Sequence, residues 1–100
     1  MNLPQLTSIE ERVAEDAWAY TAGDGTQRVS KLVVGKPAPI PGDPNGDWYC
    51  PILIDGFFPG VRCVGGVGPV DALANALALA KSFEHSVGGV SPRARTPSVP

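Results

Sequence analysis

Residues 66–89, "GVGPVDALANALALAKSFEHSVGG", read as one amphipathic helix from about Pro69 to Val87. Pro69 suits a first helical turn, Asp71 complements the positive end of the helix dipole, and Gly88 is a natural stop. At 100° per residue Val70, Leu73, Ala76, Leu77, Leu79, Ala80, Phe83 and Val87 fill one half of the wheel, with Asp71, Asn75, Lys81, Ser82, His85 and Ser86 opposite. A helix with one apolar half needs a partner surface. In a chain of 100 residues that surface has to come from the segments before it, because so short a chain makes one domain.

Those segments read as strands. "SIEERVAEDAWAYTA" runs into the turn "AGDGT" and then "QRVSKLVVGK", whose β-branched residues favour extended backbone. A hairpin joining Ile9–Thr21 to Gln27–Lys36 follows, with a bulge expected near Ala14–Asp16 where the alternation falters. "PAPIPGDPNGD", residues 37–47, carries four prolines and two glycines, which favour an extended surface crossing over a ladder. "DWYCPILIDGFFPGVRC", residues 47–63, forms a second hairpin. With a loop of Asp55, Gly56, Phe57 and Phe58, Ile54 faces Pro59, Ile52 faces Val61 and Cys50 faces Cys63. Pro51 cannot donate to a ladder, so its strand should lie locally at an edge or turn that position away from its neighbour.

The fold expected is α+β: a four-stranded antiparallel meander with the C-terminal helix packed on one face, covering Ile52, Ile54, Val61 and Cys63. Residues 1–88 make the domain, and 89–100, ending "VSPRARTPSVP", read as a disordered tail with too few apolar groups to offset its ordering.

Composition narrows function by exclusion. A net charge of −2 supplies no basic stripe for nucleic acid or an anionic membrane. No window is apolar enough for a membrane span, and the start lacks the features of a signal peptide, so the cytoplasm is the expected location. There both cysteines would stay reduced. Two thiols and one imidazole fall short of a zinc site. His85, on the polar side near the helix end, is placed to interact with the helix dipole rather than to act as a base. Asp43, Asn45 and Asp47 alternate as in a calcium loop, but the sixth-position glycine and twelfth-position glutamate are missing, and turn chemistry explains them equally well. "VGGVGP" lacks the residues of a P-loop and reads as a strand-to-helix connector. No catalytic, cofactor-binding or metal-binding residue is assigned.

What remains is surface. Trp18, Tyr20, Tyr49 and Leu53 are expected on the sheet face away from the helix, and Phe57 and Phe58 at a hairpin tip. Together they are the candidate interaction surface of a small binding protein that pairs with a protein partner or with itself as a homodimer. The alternative is a small-molecule-binding protein or minor enzyme with a site between the Pro-rich loop and the second hairpin, using Asp47, Trp48 and Tyr49. An inhibitor of the immunity type would want a strongly acidic face, which the charge does not support.

"GKPAP" after a strand, "DWYCP" opening the next, and the helix "GPVDALANALALA" resemble a family of short bacterial proteins of unknown function. That family pairs a W-x-C-P strand with a terminal helix that begins G-V-D and is rich in A-L; here the helix begins G-P-V-D. The likeness spans residues 29–83. It implies a strand-rich meander followed by a helix and makes Trp48, Cys50, Pro51 and Asp71 structural signatures, without implying any activity or cofactor.

Overall fold

The computed structural model describes residues 2–92. Its elements run β1 (Arg12–Thr21), β2 (Gln27–Gly35), β3 (Ala38–Pro39), β4 (Trp48–Ile54), β5 (Val61–Gly66), α1 (Pro69–Ser86) and β6 (Ser91–Pro92). The fold is α+β, an open antiparallel sheet with one helix on one face. The four long strands make the meander in the order β5-β4-β2-β1. Two residues of the Pro-rich crossing join it as β3, pairing Ala38 with Tyr49 and Pro39 with Trp48 along the side of β4 that β2 uses further on. The crossing is therefore partly laddered, contrary to expectation. β6 sits on the far side of β1, opposite Trp18 and Ala19. The tail expected from Gly89 thus starts with placed residues, Val90 among them packed on the core, and its remainder lies outside the described residues.

The first hairpin turns at Ala22–Thr26, where Gly25 takes φ +88° and Asp24 accepts the Thr26 amide and hydroxyl. Those bonds, led by the hydroxyl, hold the Asp24 carboxyl below its ordinary pKa. The strand starts at Arg12 rather than Ile9, and its bulge comes between Arg12 and Ala14.

In the second hairpin the register is one residue away from expectation. Pro51 pairs with Cys63, Ile52 with Arg62, and Cys50 with Val64. The loop is longer than four residues because Gly56 (φ +83°) and Gly60 (φ +66°) both adopt left-handed backbone around Pro59. A one-residue slip moves side chains to the opposite face. Cys50, Ile52 and Ile54 therefore lie under the helix with Leu32 and Val34, whereas Val61 and Cys63 face the other way with Pro51. The two thiols, both free, lie on opposite faces and do not form the facing pair expected.

α1 presents Ala72, Ala76, Ala80 and Phe83 to the sheet, flanked by Leu73, Leu79 and Val87. Val70 and Leu77, expected inward, are 78% and 46% exposed. The alanine stripe permits a close approach. A Cβ on Gly66 would come within 2.7 Å of the Ala72 Cα, so β5 needs glycine where the helix begins. Asp71 accepts the Val67 amide at 2.9 Å, tying the strand-to-helix connector to the first turn. No helix among the described residues is long and apolar enough to cross a membrane.

Candidate functional site

A helix is about 10 Å across, whereas four strands at about 4.8 Å spacing make a wider floor. One helix cannot cover it. α1 lies over β4 and β5, which leaves the inner face above β2 and β1 to smaller groups. At one end Phe83 closes that space. Trp18 stacks on it with ring centroids 6.3 Å apart, Tyr20 meets it edge-on at 5.5 Å and Phe57 packs at 5.3 Å. At the other end nothing as large is available. An open groove of about 470 Å³ remains between α1 and β1, lined by Ala14, Trp18, Leu32, Val34, Leu77, Ala80 and Val90. Asp16, Lys81 and Glu84 charge its rim, and Glu15 borders it from the strand's edge with its side chain on the outer face.

Polar contacts order the rim and the strand edge beside it. Asp16 accepts the Trp18 indole N–H at 2.9 Å and the Ala17 amide at 2.8 Å, using both carboxylate oxygens and fixing the indole. Glu15 pairs with Arg12 at 2.7 Å and Glu84 with Lys81 at 3.4 Å.

The outer face carries a second, more polar groove of about 410 Å³. The chain before β1 crosses this face. Leu3 lies beside Cys63 at the β5 edge, Leu6 beside Tyr49 and Pro51, and Ile9 against Gly35, after which the Lys36 amide bonds to the Glu11 carbonyl. Trp48 and Tyr49 line this groove with Pro37 and Pro39, close to where a site beside the Pro-rich loop was expected. Asp47 does not join them. Its amide donates to the Asp43 carboxylate at 2.9 Å and its carbonyl accepts the Ile40 amide, so it is part of the turn.

The expected interaction surface is therefore divided. Trp18 and Tyr20 are on the helix side and half-buried, the reverse of their expected face, because the pairing of Trp18 with buried Ser30 places them inward. Tyr49 and Leu53 are on the outer face. Phe57 and Phe58 pack on each other at 5.8 Å, and Phe58 carries the Arg62 guanidinium 4.4 Å above its ring, so the hairpin tip is partly covered by its own chain. No motif or spacing in the sequence marks the groove residues Ala14, Leu32, Val34, Leu77 and Val90 as a site. Their signal was a helix whose apolar half is wider than its alanine stripe.

The displaced thiol pKa values lie away from both grooves' rims. Burial, with the Cys63 thiol nearby as a smaller cause, pushes Cys50 up to about 11, and burial also raises Cys63. Both thiols are thereby kept in the unreactive protonated form. Among the described residues no three His, Cys, Asp or Glu side chains are grouped to hold a metal ion. Comparison of the chain with known protein families, curated proteins and solved structures finds no match.

Proposed function

We propose that this chain is a small binding module without catalytic machinery, and that its site is the inner groove between α1 and β1. The observation that carries this reading is the mismatch between one helix and a wider sheet, which leaves an apolar floor with a charged rim. Its volume falls in the range of small-molecule sites, and such sites combine an apolar lining with a few polar groups. Leu77 is the residue to test, since it lines the groove and is 46% exposed, so changing it spares the core.

The expected result with N-phenylnaphthylamine, a neutral apolar fluorophore, is a saturable enhancement at one probe per chain. Leu77→Asp should weaken binding about tenfold or more, the equivalent of an apolar side chain withdrawn from the contact. Absence of enhancement, or enhancement indifferent to Leu77→Asp in a variant with unchanged circular dichroism, refutes the assignment.

A second reading, a homodimer through the outer face, is favoured by Val13 and Val29, which are 54% and 52% exposed. Val29 shares that face with Ala17, Ala19 and Leu53. A single-chain mass by light scattering at micromolar concentration would exclude it.

A further inference from the structure

Resting on the inner groove as the binding site, we infer that its ligand is a cationic amphiphile, an aliphatic group carrying one protonated amine. The lining fixes the apolar part of the guest. Leu32, Val34, Leu77 and Ala80 form a floor and wall that can bond to nothing polar through their side chains. The rim fixes the charge of the other end. Two carboxylates, Asp16 and Glu84, face one ammonium, Lys81, around the opening, while Glu15 turns to the outer face with Ala17. Among the described residues the rim therefore carries one net negative charge, and a cation there gains where an anion is repelled.

The partners differ in how free they are. Both oxygens of Asp16 are engaged by the Ala17 amide and the Trp18 indole, so Asp16 adds field rather than a direct contact. Among the described residues Glu84 is held only by Lys81 at 3.4 Å, a long pairing with an exposed lysine that an incoming ammonium can displace. Trp18 is the aromatic residue of the lining, and indole is the ring that attracts cations best. The head group is thereby placed beside Glu84, on the side facing Asp16, with the chain running inward along Leu77 towards Leu32.

The test compares decylamine, decanol and decanoate, below their self-association concentrations, on the full chain at low salt, by calorimetry and by backbone NMR shifts at Ala14, Leu77 and Val90. The expected order is decylamine tightest, exceeding decanoate by about fivefold or more, with the difference shrinking as salt is added. In Glu84→Gln the ratio of decylamine to decanoate affinity should fall. Equal affinities, or a preference for decanoate, overturn the charge assignment and leave the groove reading intact. No binding by decanol or either charged probe overturns the groove reading, and this inference with it.

Discussion

Three residues, Gly35, Cys50 and Pro51, form a local unit whose parts explain one another. Asp55 N–H donates to the Lys31 carbonyl, so the alternation of an antiparallel ladder makes Val33/Leu53 and Gly35/Pro51 the bonding pairs. Pro51 has no proton to give, and the Gly35 carbonyl would be left without its ladder partner. The Cys50 thiol donates to it instead, with sulfur 3.4 Å from the oxygen. The proline ring also dictates the glycine, because a Cβ at residue 35 would lie 2.5 Å from Pro51 Cγ and 2.8 Å from Ile9 Cγ2. Gly35→Ala should therefore lower stability by about 1–3 kcal/mol in urea unfolding, as overpacking does. A second expectation concerns pH. Cys50 titrates at about 11 when folded, against an ordinary value of 9.0. The unfolded chain then gives up its proton first. The stability this provides is complete below pH 9 and is lost as pH rises from 9 towards 11, at up to about 1.4 kcal/mol per pH unit for one thiol. Chemical denaturation across that window should show a shallower decline in Cys50→Ala than in the parent.

At the level of elements, the helix shows how far a sequence pattern can be trusted. Its ends were legible to within one residue, because Pro69 and Gly88 act through local backbone geometry alone. Its buried stripe was only partly legible. The wheel ranked Leu77 and Val70 with Ala76 and Ala80, but the sheet admits only small side chains where β4 and β5 approach, and the leucine is turned towards the groove. Ala76→Leu is accordingly expected to cost about 1–3 kcal/mol and Leu77→Ala less, the reverse of what side-chain size alone suggests. Thermal or urea unfolding of the two variants decides it. The second hairpin departs from the expected register for a related reason. Alternation cannot separate two registers when both faces of a strand carry apolar residues, as they do at Tyr49, Leu53, Val61 and Cys63. The turn decides, and here two left-handed glycines lengthen it. That one-residue difference separates the thiols. The groove was illegible for a different reason: it arises from the relative widths of helix and sheet, which no window of sequence contains.

For the molecule as a whole, an open sheet raises the question of its edges, since an unpaired row of amides and carbonyls invites addition of another chain. Both outer strands meet this with a side chain. In β2, residues 31, 33 and 35 bond towards β4, so 30, 32 and 34 bond towards β1, and in β1 the groups of Glu15, Ala17 and Ala19 point outward. The Ala17 amide is taken by Asp16, while β6 covers the strand at Trp18 and Ala19. In β5 the outward carbonyl of Gly65 accepts from the Asn75 amide at 2.9 Å. With edges guarded, association through the outer face would be face to face and would stop at two copies, whereas edge pairing can continue without closure. Asp16→Ala removes the guard on β1 and releases the indole as well. Its weight-average mass in light scattering should keep rising with concentration, accompanied by a shift in tryptophan emission, while the parent holds at one chain or two. A variant whose mass follows the parent at every concentration would mean that β1 is protected by its bulge and by β6 alone, and that the Asp16 carboxylate serves only to fix Trp18 at the mouth of the groove.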